Sequence, residues 1–418
     1  MIFSEKANAI VGQSGGPTAA INATLAGVIS AALDSDKIDV LYGARNGVEG
    51  MLREDVIDLS DIFGASDKNE KLERLSATPS AALGSCRVKL PPVDDAANNE
   101  KYIKLFNFFK KMNIRYFFYI GGNDSMDTVS KLSAVCDKFD WDMNFVGVPK
   151  TIDNDLDVTD HTPGYGSCAK FIATVMSEML CDTAVYTVKA VTIVEIMGRD
   201  TGWLTAASAL SAVNTGIGPD YIYLPETDFD YERFFKDVEN AFSKHPNVVI
   251  AVSEGLHFAD GRLVGEGMQS GATDVFGHKY LDGTAKALEL AVKERFGCKV
   301  RSVELNLPQR CASHIASLTD IKESFGVGSA AVESALNGDS DCMMCIKREG
   351  NGEKYAVSYK SVAIELVANR IKYVPDDFIN EEGNNVTDKC IEYMLPLVQG
   401  CAPYFTQNGI PEFLILSK

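Results

Sequence analysis

Short apolar runs alternate with helix-like patterns through the first 250 residues of the chain. The run NAIVGQ at 8–13 predicts a buried strand. In the segment after it, apolar residues recur at the spacing of one helix face: Ile21, Leu25, Val28, Ile29 and Leu33. Further strands are predicted at 37–45, 115–120, 144–148, 190–196 and 247–253. Strands rich in valine, isoleucine and phenylalanine with helices between them indicate an α/β fold with a mostly parallel sheet covered on both faces.

A polar cluster follows nearly every predicted strand. These clusters are SGGP at 14–17, GGNDS at 121–125, PKTIDND at 149–155, MGRDTG at 197–202 and EGLH at 254–257. Any one of them alone is typical of an ordinary surface turn. In open α/β sheets, however, ligands bind outside the carboxyl ends of the strands. Five such clusters in succession therefore predict a ligand site along this edge.

Size and charge narrow the class of protein. A chain of 418 residues exceeds what one hydrophobic core usually organises, so we expect two domains. The net charge of −18 argues against nucleic acid or an anionic membrane as partner. A phosphorylated substrate would need a locally basic pocket or a bridging divalent cation in this acidic protein.

The cysteines and the N-terminus bear on location. Ten cysteines are scattered, and CMMC (Cys342 to Cys345) is the only CxxC among them. Reduced, buried thiols are a better interpretation than a metal site. The five histidines form no HExxH motif, which disfavours zinc chemistry. With neither a signal peptide nor an apolar run long enough to span a bilayer in the sequence, we expect a cytoplasmic protein.

The two glycine-rich clusters suit phosphate. Gly15 and Gly16 allow close approach of a ligand to the backbone, and the helix that follows presents unpaired N–H groups. GGNDS has the same arrangement, with Asp124 as either a metal ligand or a helix cap. Each cluster alone could equally be a structural turn.

PKTIDND contains the parts that phosphoryl transfer needs. Asp153 and Asp155 are two residues apart, so in an extended turn they face the same side. An ionised aspartate can accept a proton from a substrate hydroxyl, and Lys150 can neutralise charge on the moving phosphoryl group. The alternative is a turn with an internal salt bridge. Residues suited to phosphate or sugar hydroxyls elsewhere are Arg87, Arg199, Glu254, Arg301 and Arg310, each of which could also be a surface charge.

Together these segments resemble the phosphofructokinase family. The resemblance runs from about residue 8 to about 315, and TIDND and MGR are its most specific motifs. It implies two doubly wound, Rossmann-like domains with the active site in the cleft between them. The implied phosphoryl-donor domain is 1–160 plus about 315–375. The implied fructose 6-phosphate domain is about 161–314 plus about 376–418.

Two positions resemble the pyrophosphate-dependent branch of the family. ATP-dependent members have glycine where this chain has Asp124 and Lys150. A carboxylate there fills the space of a nucleotide α-phosphate and repels it, by about 4 kcal/mol for charges roughly 4 Å apart at an effective dielectric of 20. That penalty would disfavour ATP about a thousandfold. Lys150 is expected to pair with Asp124 and with the transferred phosphate.

The resemblance implies a role for each matched residue. Asp153 is the base on the 1-hydroxyl of fructose 6-phosphate, and Lys150 and Arg199 stabilise the phosphoryl group, with Asp124 also catalytic. Pyrophosphate would be bound by Gly15, Gly16, Arg87 and Ser125. The sugar phosphate would be bound by Thr151, Asp153, Met197, Gly198, Arg199, Glu254, Arg310 and, across a subunit contact, Arg301. Mg²⁺ would be held by Asn123 and Asp155.

Some positions depart from the family pattern. Asn123 replaces the usual metal-binding aspartate, Leu307 replaces a sugar-phosphate histidine, and Ala190, beside Lys189, replaces a second cross-subunit arginine. The expected protein is a homodimer or homotetramer that uses Mg²⁺, pyrophosphate and fructose 6-phosphate. The alternatives are an ATP-dependent 6-phosphofructokinase and, less favoured because Asp153 and Arg199 are present, a non-catalytic regulatory subunit.

Overall fold

A computed structural model describes residues 1–94, 96–266 and 283–416. Its strands are β1 (Ala7–Gln13), β2 (Ile38–Ala44), β3 (Val56–Asp58), β4 (Ile114–Gly121), β5 (Asn144–Pro149), β6 (Ala190–Ile196), β7 (Tyr221–Tyr223), β8 (Asn247–Ser253), β9 (Lys299–Glu304), β10 (Cys342–Arg348), β11 (Val357–Ala363), β12 (Thr406–Gln407) and β13 (Ile410–Pro411). Its α-helices are α1 (Ile21–Leu33), α2 (Gly47–Arg53), α3 (Leu59–Phe63), α4 (Lys68–Ala77), α5 (Glu100–Lys111), α6 (Asn123–Val135), α7 (Tyr165–Thr183), α8 (Trp203–Ala206), α9 (Tyr231–Phe242), α10 (Thr284–Phe296), α11 (Pro308–Cys311), α12 (Leu318–Leu336) and α13 (Asp388–Met394).

The strands of the described residues form two main sheets. The large sheet has the order β11-β10-β5-β4-β1-β2-β3, and its five central strands are parallel. Its two edge strands, β11 and β3, pair antiparallel. The small sheet has the order β7-β8-β6-β9 and is parallel throughout. The predicted α/β class with mostly parallel sheets is confirmed.

Both faces of the large sheet are covered, as its apolar strands require. On one face α1 packs against α12, and their backbones approach so closely that a Cβ on Gly27 would lie 2.0 Å from the Phe325 carbonyl oxygen. The other face is lined by aromatic side chains, among them Phe106 and Phe109 of α5 and Phe117 of β4. This packing holds the carboxyl ends of the central strands in a fixed array.

The C-terminal third divides between the two sheets. Strands β10 and β11 return to the large sheet, whereas Cys390 and Met394 of α13 pack with the core of the small sheet. Leu414 then lies against the large-sheet core again. The predicted domain boundaries remain a prediction. Of the helices in the described ranges, none is long and apolar enough to cross a membrane.

Candidate active site

The polar turns predicted from sequence lie side by side because backbone hydrogen bonds join them. The Ser14 N–H donates to the Ile120 carbonyl at 2.9 Å, and the Lys150 N–H donates to the Gly121 carbonyl at 3.0 Å. These bonds continue the parallel pairing of β1, β4 and β5 past the ends of the strands. SGGP, GGNDS and PKTIDND therefore form one continuous edge.

The turn after β1 is flanked by cations. Gly15 has φ +77°, a conformation that favours glycine. The Lys150 Nζ donates to the Gly16 carbonyl at 2.6 Å. A Cβ on Gly16 would lie 3.3 Å from Arg310 Nη1. The Arg310 guanidinium therefore lies beside the glycine turn, and its expected role at the sugar phosphate remains a prediction.

Lys150 is buried at the centre of this charged group. Burial lowers its pKa to about 8, although the charges of Asp153 and Asp155 act to raise it. The positive charges of Arg310 and Arg87 lower the pKa further. Lys150, both aspartates and both arginines therefore lie close enough for their charges to interact.

The turn that holds the two aspartates is tightly bonded. The Thr151 hydroxyl donates to Asp153 Oδ2 at 3.2 Å and accepts the Asp153 N–H at 3.1 Å. Burial raises the pKa of Asp153, and the Thr151 bond and the charge of Lys150 oppose that rise. Burial and the neighbouring charge of Asp153 raise the pKa of Asp155. Since the two carboxylates share one half-buried site, protonation of one is coupled to protonation of the other.

The part of the site expected to bind the phosphoryl acceptor, here called the acceptor side, lies at the carboxyl ends of β6 and β8. The Met197 N–H donates to Gln309 Oε1 at 3.1 Å, and the Gly198 N–H donates to Glu254 Oε1 at 3.2 Å. Burial raises the pKa of Glu254 to about 8, and the charge of Arg199 opposes that rise. An open cavity of about 860 Å³ lies alongside. Its lining includes Arg199, Asp200, Glu226, His257, Tyr373 and Asp376.

Four predicted site residues lie in other surroundings. Asp124 pairs with Lys89 at 3.2 Å, not with Lys150, and both side chains are about half exposed (48% and 50%). Water screens such a pair, so repulsion of an α-phosphate is nearer 1 kcal/mol than the 4 kcal/mol expected. We therefore expect volume, more than charge, to account for any effect that Asp124 has on nucleotide binding.

The remaining three residues are placed as follows. The Asn123 amide bonds the backbone of residues 369–370 through both its oxygen and its nitrogen. Ser125 is buried, with its hydroxyl packed against Gly121. Arg301 is exposed near the amino end of β9, whereas Met197 and Glu254 follow the carboxyl ends of their strands. The roles assigned to these residues remain predictions.

Several residues that contribute to the site were missed from sequence. Gln309 directly precedes the predicted Arg310 but gave no signal of its own, since its amide oxygen accepts a backbone N–H. Glu226 follows the short strand β7, so the rule of polar clusters after strands could have found it. Lys372 lies in the C-terminal region, where no pattern marked it; its ammonium contacts Asn154 between the two aspartates.

The fold and the site define the class of protein, and comparison with known proteins agrees. Residues 8–334 match the family described as phosphofructokinase. The chain belongs to the phosphofructokinase family, as its motifs predicted.

Individual relatives show which members of the family this chain is similar to. The chain is 41% identical over 415 residues to the pyrophosphate–fructose 6-phosphate 1-phosphotransferase of Halomonas elongata, covering 98% of this chain and 96% of that protein. It is 39% identical to the protein of the same name from Methylococcus capsulatus, with the same coverage. The structure of a pyrophosphate-dependent phosphofructokinase from Nitrosospira multiformis superposes with a TM-score of 0.86 at 37% identity, covering 98% of this chain and 96% of the other.

Proposed function

We propose that this chain is a pyrophosphate-dependent 6-phosphofructokinase. It transfers a phosphoryl group from pyrophosphate to the 1-hydroxyl of fructose 6-phosphate, giving fructose 1,6-bisphosphate and phosphate, a reversible reaction of glycolysis. The observation that carries the proposal is the position of Lys150, whose ammonium bonds the glycine turn and feels the charges of both aspartates. The relatives named above support pyrophosphate as the donor.

We assign a role to each of the main side chains. Asp153 accepts the proton of the 1-hydroxyl as its oxygen attacks phosphorus, which a positioned carboxylate can do once ionised. Lys150 and Arg199 neutralise charge that develops on the transferred group, and Arg310 and Arg87 add to the positive field. The bond to the leaving phosphate breaks on the side of the glycine turn. In the reverse direction Asp153 returns the proton.

Mg²⁺ is the proposed cofactor. Within the described ranges, no group of three or more acidic, histidine or cysteine side chains is arranged so that it could hold a metal ion by itself. Mg²⁺ needs no such group, because it is often held by one or two carboxylates together with substrate phosphates and water. Asp155, with Asp153 beside it, fits that requirement, whereas the Asn123 amide is already bonded to residues 369–370. When bound, the ion would neutralise charge on the phosphates.

Two further parts of the proposal concern the assembly and its location. A homo-oligomer would bring Arg301 of one subunit to the sugar phosphate of another, which is consistent with its exposed position outside the cleft. A cytoplasmic location is consistent with ten free cysteines, several of them buried.

A donor assay tests the function directly. Purified protein is given Mg²⁺, fructose 6-phosphate and either pyrophosphate or ATP, and fructose 1,6-bisphosphate is measured. We expect turnover with pyrophosphate and little or none with ATP. Turnover with ATP alone would identify the ATP-dependent alternative, and sugar-phosphate binding without turnover on either donor would identify the regulatory one.

The role of Asp124 is tested by two substitutions that separate volume from charge. Asp124→Gly should increase kcat/KM for ATP, because it empties the space beside the donor site. Asp124→Asn removes the charge but keeps the volume, and we expect it to gain at most about fivefold, near 1 kcal/mol. Equal gains in the two variants would show that charge, not volume, excludes the nucleotide; no gain in either would contradict the assignment.

A further inference from the structure

One segment, residues 369–376, crosses from the donor side of the site to the acceptor side. At its start, the side-chain amide of Asn123 makes two hydrogen bonds to the backbone. Its nitrogen donates to the Arg370 carbonyl and its oxygen accepts the Asn369 N–H, at 2.6 Å each. Near its end, the Val374 N–H donates to Glu226 Oε1 at 3.0 Å, beside the large cavity. We call residues 369–376 the crossing segment.

Lys372 lies at the middle of the crossing segment and donates hydrogen bonds to the turn that holds the two aspartates and to the residues that follow it. Its backbone N–H donates to the Asp155 carbonyl at 2.9 Å. Its ammonium donates to the Asp160 carbonyl at 2.8 Å, the Thr159 carbonyl at 3.1 Å and Asn154 Oδ1 at 3.3 Å. All three donor positions of the ammonium are therefore used on residues 154–160.

Asn154 is the residue through which Lys372 can affect the orientation of the two aspartates. It stands between Asp153 and Asp155 with φ +55°, the left-handed conformation, which asparagine adopts more readily than most residues but which still carries strain. Its side chain accepts the Thr162 N–H at 3.1 Å and donates to the Tyr393 hydroxyl at 3.0 Å. Because the two aspartates flank it, a rotation at Asn154 would re-aim both carboxylates.

The acceptors of Lys372 are themselves fixed. The Asp160 carboxylate receives Arg348 Nε at 3.0 Å and His161 Nδ1 at 2.8 Å, and His161 Nε2 lies 2.6 Å from Glu323. The Tyr393 hydroxyl donates to the Asp160 carbonyl at 2.6 Å. Lys372 thus joins the aspartate turn to a rigid, bonded group, not to a loose surface loop.

We propose that Lys372 is a positioning residue that holds Asn154 in its left-handed conformation and so aims Asp153 at the substrate hydroxyl. This inference rests on the proposed function of Asp153. Lys372 makes no contact with substrate in this assignment. Its effect should therefore be on kcat, since misplacement of a reacting group by about 1 Å can cost about a hundredfold in rate.

The test substitutes Lys372 by alanine and compares Lys389→Ala, which removes an exposed lysine paired with Asp377 at 3.1 Å in the same C-terminal region. We expect Lys372→Ala to lose about 10–100-fold in kcat, with KM for pyrophosphate and fructose 6-phosphate changed less than about threefold. Added methylamine or ethylamine should restore part of kcat by placing an ammonium in the vacated space. Lys389→Ala should match the unaltered protein.

A second measurement separates positioning from general stability. Hydrogen exchange should accelerate in the segment 149–163 of Lys372→Ala, and protection in the distant strand β2 should be unchanged. Loss of protection across the whole chain without amine rescue would overturn the proposal, as would an unchanged kcat or a selective rise in KM. If the unaltered protein itself fails to turn over pyrophosphate, the proposed function has failed; the exchange result then still decides whether Lys372 holds the turn.

Discussion

At the scale of single residues, the site contains a lysine ammonium that is buried away from water, where the charged form is disfavoured. Lys150 is 3% exposed, and desolvation alone would favour its neutral form. The two aspartates close by stabilise its charge, and its own charge helps to keep Asp153 ionised. The charged forms of Lys150 and Asp153, the proposed cation and base, therefore stabilise each other.

Removal of the base should abolish turnover while binding survives. We expect Asp153→Ser to reduce kcat by about 10²–10⁴-fold, because a positioned general base contributes that much. Pyrophosphate and fructose 6-phosphate binding, measured by calorimetry, should remain. Asp34→Asn, which alters an exposed carboxylate paired with Lys68, is the control. Undiminished turnover in Asp153→Ser would refute the assignment of the base.

The pKa of Lys150 predicts an alkaline limit on activity. With its pKa lowered to about 8, the free enzyme carries this ammonium below that pH and loses it above. Since kcat/KM reports ionisations of the free enzyme, kcat/KM for pyrophosphate should fall about tenfold per pH unit above roughly pH 8. Lys150→Arg, which stays charged, should lack this fall. Identical pH profiles would contradict the prediction, because titration of pyrophosphate itself is common to both proteins.

At the scale of elements, the short helix α11 connects the two sides of the cleft. Gln309 accepts the Met197 N–H on the acceptor side, and the next residue, Arg310, reaches the glycine turn on the donor side. Gln309 is 2% exposed and also donates to the Asn306 carbonyl at 3.1 Å. This four-residue helix is held between the two sides because both the oxygen and the nitrogen of the Gln309 amide are hydrogen-bonded.

Loss of the Gln309 amide should therefore weaken sugar binding selectively. Gln309→Ala leaves the Met197 N–H without its acceptor, and an unsatisfied buried donor costs about 1–3 kcal/mol. We expect KM for fructose 6-phosphate to rise about 5–150-fold, with KM for pyrophosphate nearly unchanged, in steady-state assays. The exposed Gln399→Ala serves as control. A parallel rise in both KM values would show that α11 does not act on one side alone.

At the scale of the whole molecule, the acidic surface and the cationic site are compatible. The net charge is −18, yet four cations, Lys150, Arg199, Arg310 and Arg87, act on the two aspartates or on one another near the cleft. The charge expected to complete the sugar-phosphate site, Arg301, lies outside this group on an exposed strand. If Arg301 has its expected role at the sugar phosphate, it must therefore act in the site of another subunit.

If a second subunit supplies Arg301, two inactive variants should complement each other. Asp153→Ser and Arg301→Ala are each unfolded and refolded alone and as an equal mixture, and activity at low fructose 6-phosphate is measured. In a symmetric dimer, random mixing leaves about a quarter of the sites with both residues intact, so about a quarter of normal activity should return. A mixture no more active than its components would show that Arg301 serves its own subunit or none.

The sequence by itself determined the parallel α/β architecture, the sheet edge along which the polar clusters lie, and the family. Strand periodicity and the polar clusters after each strand are local properties, and local backbone direction follows from them. The predicted strands at 115–120, 144–148, 190–196 and 247–253 all recur in the structure as β4, β5, β6 and β8. The proposed catalytic motif was visible for the same reason, since TIDND holds its polar side chains within a few residues.

Only the tertiary structure decided which charges meet. Asp124 pairs with Lys89 instead of Lys150, and the Arg310 guanidinium lies beside Gly16 of the glycine turn. Lys372 reaches Asn154 from 218 positions further along the chain. Side-chain partners depend on how distant segments pack, and no local pattern encodes that packing; the same long-range packing sets the burial that lowers the pKa of Lys150 and raises that of Asp153.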